Sequence, residues 1–120
     1  MTVYLRASQD FRKVYAKGQR HEGVLMTAFV LPNNLPHNRF GVTASRKAIG
    51  NSVQRNRAKR LLKETFRLKK SLLLELQENY DWVVNAKRGL PALKVTVAIE
   101  EFEKLVSRVA KEETKSHTGK

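Results

Sequence analysis

The residues best equipped for chemistry in this chain are cations. Ten of its 24 lysines and arginines fall within the 25 positions from Arg46 to Lys70, and Glu64 alone opposes them. At the centre stands Arg55-Asn56-Arg57-Ala58-Lys59-Arg60, followed by Lys63 and Arg67. A guanidinium presents a planar fork to two phosphate oxygens, and an ammonium adds a point charge. Asn56 gives and accepts hydrogen bonds, which suits a ribose hydroxyl or a base edge. Holding so many like charges together is unfavourable unless a polyanion neutralises them. A face serving only solubility would mix its signs. The one-sided charge therefore points to nucleic acid.

Two further groups invite a functional reading. Ser45-Arg46-Lys47 precedes Gly50 and Asn51, so cations and the free N–H groups of a helix start could meet one anion. An ordinary capped loop explains the same composition. Phe11 and Tyr15 lie one helical turn apart, and Phe29 sits in an apolar run. Together they could line a groove where unpaired bases stack. Core packing is the plainer alternative, and periodicity alone favours it.

Catalysis by the chain itself is poorly supplied. A two-metal nuclease needs clustered carboxylates, whereas the two aspartates, Asp10 and Asp81, are far apart in sequence. His21 and His37 flank the first apolar run without a partner motif, and His117 falls in the tail. No histidine pair has zinc-site spacing, and no phosphate-binding loop of the nucleotide-hydrolase type occurs.

These side chains need elements to position them. Ser8 can cap a short helix running to about Lys17, with Gly18 as its stop. Gly23 to Leu31 predicts a strand buried on both faces. Pro32-Asn33-Asn34-Leu35-Pro36 is a turn by composition. Arg39 to Ser45 alternates and predicts a second strand, paired with the first as a hairpin. After Gly50 a long helix is expected from Ser52 to Glu78, with Ala58, Leu61, Leu62, Thr65, Leu68, Leu72 and Leu76 on its apolar face. Tyr80 to Lys87 predicts a third main strand, and Thr96 can cap a last helix. Phe40, Trp82 and Phe102 are assigned to the core. This order predicts an α+β fold, a small sheet covered by helices. Residues 1–112 are expected to form one domain, and residues 113–120 a disordered basic tail.

At 120 residues one core is expected. The hydrophobic fraction of 41% supports folding, while a formal charge of +13 favours phosphates or an anionic surface. The absence of cysteine excludes disulfides and thiolate–metal sites. The start lacks the apolar run of a signal peptide, and no stretch approaches the roughly 20 apolar residues of a membrane span. A cytoplasmic protein without membrane partner is the simplest expectation.

The segment from Phe40-Gly41-Val42-Thr43-Ala44-Ser45-Arg46-Lys47 through Gly50-Asn51-Ser52-Val53-Gln54-Arg55-Asn56-Arg57-Ala58-Lys59-Arg60 to Arg67 resembles the signature of the bacterial ribonuclease P protein subunit. The opening Leu5-Arg6, with Asp10-Phe11, Val14-Tyr15 and Gly18, is similar to the family's amino-terminal pattern. Ala48-Ile49 is one residue longer than in many members.

The resemblance implies a small α/β sandwich with a central four-stranded sheet and a left-handed βαβ crossover. It implies that Arg55, Asn56, Arg57, Lys59, Arg60, Lys63 and Arg67 face a catalytic RNA subunit. Phe11, Tyr15 and Phe29 would line a cleft for the single-stranded 5′ leader of precursor tRNA, with Ser45, Arg46 and Lys47 beside it. The function implied is removal of that leader by a ribonucleoprotein endonuclease. Its Mg²⁺ would be held mainly by RNA, with no catalytic or metal residue in the protein. One protein monomer would bind one RNA. A structural ribosomal RNA-binding protein shares the size and charge and is the main rival. A DNA-binding protein and a protein-only nuclease are weaker ones.

Overall fold

Parallel pairing between two strands that are not neighbours in sequence sets the architecture. The computed structural model describes the backbone of residues 2–118 and the side chains of residues 2–115. Its elements are β1 (Val3–Tyr4), α1 (Ser8–Lys17), β2 (Gln19–Glu22), β3 (Met26–Pro32), β4 (Arg39–Thr43), α2 (Arg46–Ile49), α3 (Ser52–Lys69), β5 (Tyr80–Ala86) and α4 (Val95–Thr118). Short 3₁₀ turns lie at Lys70–Glu75 and Leu90–Ala92.

The sheet order is β1-β4-β5-β3-β2. β5 runs parallel to β4, with Gly41 opposite Val83, and antiparallel to β3, with Phe29 opposite Val83. Parallel neighbours need a long crossover, and α2 and α3 supply it. The α+β expectation holds, with two corrections. The sheet has five strands, because β1 adds a two-residue edge beside β4. The expected hairpin between the first two strands is absent, because β5 inserts between β3 and β4. The antiparallel partner of β3 on its other side is β2, a polar Gln19–Glu22 edge that hydrophobic alternation does not reveal.

Each face of the sheet has its own core. Met26, Ala28, Val30, Phe40, Trp82 and Val84 meet α3 and α4 through Ala58, Leu62, Phe66, Phe102 and Leu105. Phe66 stacks on Phe40 at 4.3 Å between centroids and meets Phe102 edge-on at 5.3 Å. On the other face, Leu5, Val14 and Val83 form a smaller core with Phe11, Phe29 and Leu31. Phe11 lies directly over Gly41, where a Cβ would come within 2.5 Å of the ring. Only a residue without a side chain lets α1 sit this low on β4.

Element ends differ from expectation for local reasons. Ala7, not Ser8, is the N-cap of α1, without a side-chain cap bond. α3 ends at Lys69 rather than near Glu78, and the 3₁₀ turn brings Leu73 and Leu76 into the core while Leu68 stays exposed. α4 runs past Lys111 to Thr118, so a disordered tail from residue 113 is not what forms. Its buried Glu113 accepts hydrogen bonds from the Gln77 N–H at 2.9 Å, the Glu78 N–H at 3.2 Å and the Tyr80 hydroxyl. Burial pushes the Tyr80 phenol well above its ordinary value, and the hydrogen bond to Glu113 adds to that. Residues 119 and 120 lie outside the described residues.

Asp81 anchors the start of β5. Arg39 grips its carboxylate through Nε at 2.8 Å and Nη2 at 2.7 Å, and Asn33 donates at 3.0 Å. Burial alone would raise the Asp81 pKa, but hydrogen bonds from Arg39 and Asn33 and the charges of Arg39 and Lys13 outweigh it and hold it low. A carboxyl whose folded pKa lies below its unfolded one contributes stability in full at neutral pH. That contribution disappears as the pH falls below about 4 through the folded value. Wild-type protein should therefore lose stability in that acid window, and Asp81→Asn should flatten the loss, as read from urea midpoints across pH 2.5–6.

Candidate nucleic-acid interface

Two surfaces of different chemistry lie on opposite faces of the sheet. The first is built on the crossover. Ser45 caps α2, its Oγ accepting from the Ala48 N–H at 3.1 Å. Ala48 and Ile49 belong to this short helix, where Ile49 packs against the larger core, so the additional residue is absorbed as helix. Gly50 then takes φ +104° and ψ −126°, a conformation that L side chains rarely adopt. Asn51 caps α3 by accepting from the Gln54 N–H at 3.0 Å. The sharp corner and the two caps aim α3 across the sheet.

α3 buries Ala58, Leu62, Thr65 and Phe66. That orientation leaves Asn56, Arg57, Arg60, Lys63 and Arg67 exposed, with Arg55 and Lys59 half-buried. Among the described residues, the ion pair from Arg67 to Glu64 is the only one this helix makes. The Arg55 Nε is buried without a hydrogen-bond partner, the only such side-chain atom among the described residues. An unpaired buried donor is unfavourable by about 1–3 kcal/mol, and an acceptor reaching Arg55 would relieve it. Arg57, Arg60, Lys63, Glu64 and Arg67 line an open depression of about 640 Å³ with Tyr4. Lys63 Nζ sits over the Tyr4 ring, 5.2 Å from its centroid. Burial, with Glu64 nearby, raises the Tyr4 phenol.

The second surface lies where α1 crosses β3, β5 and β4. Tyr15 meets Phe29 edge-on at 4.9 Å and 79°. Tyr15 is 39% exposed, whereas Phe11 and Phe29 are half-buried in the small core. The three aromatics do gather on one face, but unequally: Phe11 is largely engaged with Gly41, and Tyr15 with Phe29 offers the open ring surface. Tyr15 donates its hydroxyl to Asn85 Oδ1 at 2.7 Å, and Thr43 Oγ1 donates to the same oxygen at 2.6 Å. Two residues after Thr43 come Ser45, Arg46 and Lys47, all exposed. The chain thus passes from the aromatic cluster through α2 to the cationic helix.

Sequence reasoning missed Asn85, Thr43 and Tyr4 as contributors. Asn85 left a signal, an amide inside the otherwise apolar run Trp82-Val83-Val84-Asn85-Ala86. The two histidines do not pair. His21 is buried on β2, where loss of solvation lowers its pKa while Glu112 raises it and Arg108 lowers it, and His37 is exposed in the connection after β3. Asp10 and Asp81, distant in sequence, both approach Arg39, at 4.0 Å and 2.7 Å. Their charge is thereby met by a guanidinium. Among the described residues there is no group of three or more His, Cys, Asp or Glu that could hold a metal ion. None of the described helices is long and apolar enough to cross a membrane.

The chain matches the Ribonuclease P family over residues 2–110. It is 38% identical over 104 residues to the ribonuclease P protein component of Caldanaerobacter subterraneus subsp. tengcongensis, covering 87% of this chain and 86% of the relative. The Staphylococcus aureus RNase P protein superposes with a TM-score of 0.73 at 25% identity, covering 92% of this chain and 97% of that one. The Thermotoga maritima RNase P protein shares the fold with a TM-score of 0.75 at 24% identity, over 88% and 96% of the two chains.

The corner at Gly50 generates a test of how α3 is aimed. A Cβ there would meet no atom within 4 Å, so any effect of Gly50→Ala comes from the backbone alone. The variant should lose about 1–3 kcal/mol of stability in urea denaturation. An unchanged midpoint would mean that the corner relaxes freely.

Proposed function

The chain belongs to the ribonuclease P protein family, and from that premise we propose how its two surfaces serve the enzyme. It is the protein subunit of ribonuclease P, a ribonuclease complex of tRNA processing, and its partner is the ribonuclease P RNA. In our reading, Arg55, Asn56, Arg57, Lys59, Arg60, Lys63 and Arg67 bind that RNA. The groove of Tyr15 and Phe29, floored by Phe11, takes the single-stranded 5′ leader of precursor tRNA. Ser45, Arg46 and Lys47 hold leader phosphates where the two surfaces meet. The RNA carries out phosphodiester hydrolysis and holds the Mg²⁺ ions. One protein joins one RNA.

The observation that carries this reading is the separation of the two surfaces. Cations that make almost no ion pairs among the described residues lie on one face of the sheet, and an aromatic cluster with the exposed Tyr15 ring lies on the other. Arginines without carboxylate partners suit a partner that brings regularly spaced phosphates. Open rings suit unpaired bases, which stack irrespective of sequence. By supplying positive charge, the protein lowers repulsion between substrate and RNA phosphates. The RNA then needs less added Mg²⁺ to hold substrate.

At low Mg²⁺, adding the protein to the ribonuclease P RNA should accelerate cleavage of precursor tRNA. Equal rates with and without protein would refute the reading. Trimming the leader to one or two nucleotides should remove most of the protein-dependent affinity. Arg57→Ala and Arg60→Ala should each weaken RNA binding and reduce the slope of log affinity against log salt by roughly 0.7–0.9 per lost phosphate contact. Filter-binding titrations at several KCl concentrations would measure this.

A further inference from the structure

Tyr4 differs from the other tyrosines in what its hydroxyl does. Tyr15 and Tyr80 donate theirs to Asn85 and Glu113. The Tyr4 hydroxyl makes no hydrogen bond among the described residues and is not buried. A tyrosine held for structure usually finds such a partner, so the ring is the part of Tyr4 left to explain. β1 pairs Tyr4 with Phe40, and the ring packs in part against the larger core, on the face that carries α3. With Leu61 and Leu93 it gives an apolar wall to the open depression of about 640 Å³. The cations of that depression are Arg57, Arg60, Lys63 and Arg67. Its one acid, Glu64, is engaged with Arg67.

Phosphate alone would use these cations and leave the apolar wall bare. A duplex keeps its bases inside the stack, and the A-form major groove is too deep and narrow for side chains to read. A nucleotide outside the stack uses both features, its base lying on a ring while arginines take the flanking phosphates. We propose that Tyr4 is a stacking platform for one unpaired nucleotide of the ribonuclease P RNA. This deepens, and rests on, the assignment of the α3 face to that RNA. Lys63 Nζ, 5.2 Å from the Tyr4 centroid, covers the ring in the free protein. Lys63 is exposed, and a cation over an exposed ring is held more weakly than a stacked base. The base therefore displaces the ammonium, which moves onto a phosphate of the same strand. The platform lies across the sheet from the Tyr15–Phe29 pair, so it is a second aromatic contact and not an extension of the first.

The experiment uses the full chain and the ribonuclease P RNA, without precursor tRNA. Tyr4→Leu keeps apolar bulk and removes the ring. It should weaken RNA binding roughly ten-fold or more at every KCl concentration. The slope of log affinity against log salt should stay as in wild type, because a stacked base releases no counterions. Tyr4→Phe keeps the ring and should recover the binding. Probing of 2′-hydroxyl reactivity at saturating protein reads the same contact independently of affinity. An unpaired nucleotide that reacts in the free RNA should be protected by wild type and Tyr4→Phe. It should stay reactive with Tyr4→Leu, even where that variant is less stable in urea. Wild-type affinity in Tyr4→Leu, a loss that Tyr4→Phe shares, or identical reactivity with all three proteins overturns the proposal. The assignment of α3 to the RNA then still stands if Arg57→Ala weakens binding and lowers the salt slope. An Arg57→Ala variant that changes neither overturns both.

Discussion

The parallel pairing of β4 with β5 is the constraint on which the rest of the structure depends. Two strands 37 positions apart in the sequence, with Arg39 opposite Asp81 and Thr43 opposite Asn85, cannot be joined by a turn. The connection must leave the end of β4, cross one face and return to the start of β5. That connection contains the densest run of cations in the chain, so the charge is delivered to a single face as a rigid helix. Because α3 and α4 occupy that face, α1 is left to cover the other. The bidentate grip of Arg39 on Asp81 closes the pairing at one end, and the Thr43–Asn85 hydrogen bond joins the same two strands at the other.

Charge is distributed with a consistent logic. A formal excess of +13 should make a small domain repel itself, and an anion bound to the folded form would offset this by mass action. The few carboxylates are employed away from the α3 arginines. Asp81 holds Arg39 and Asn33, and Glu101 accepts from the Leu25 N–H in the β2–β3 connection. Glu113 satisfies the backbone leading into β5, and Glu22 meets Arg20 and Lys87 at the sheet edge. Glu64 alone touches the α3 cations, through Arg67. Acidic residues therefore close local structure, and the long basic face is left almost without ion pairs among the described residues.

Much of this was legible in the sequence, for identifiable reasons. Leucines and alanine at helical spacing give the buried side of α3, and the arginines opposite follow from that geometry. Phe40, Trp82 and Phe102 are large enough to be placed in the core from type and context, and all three are buried. Strand pairing was not legible. Hydrophobic alternation tells which residues share a face but not which strand lies alongside, so β3 and β4 looked like a hairpin. β2 is polar because it is an edge, and β1 is too short to carry a pattern. The continuation of α4 depends on Glu113 meeting backbone and tyrosine donors more than thirty positions away, which no local composition reports.

The candidate site divides in the same way. Cations declare themselves by number, so the basic face is visible before any fold is known. An aromatic cluster on the opposite face has no such signature, because its rings also pack the core. Phe11 shows the overlap directly, since the ring that borders the groove is also the one that fills the space above Gly41. Beside the rings lies the Asn85 amide, whose orientation comes from two hydroxyls on different elements, Tyr15 on α1 and Thr43 on β4. That orientation is thus a property of the assembled sandwich. It requires α1 to be seated low over Gly41 and β4 to run beside β5, and a change in either frees the amide to turn.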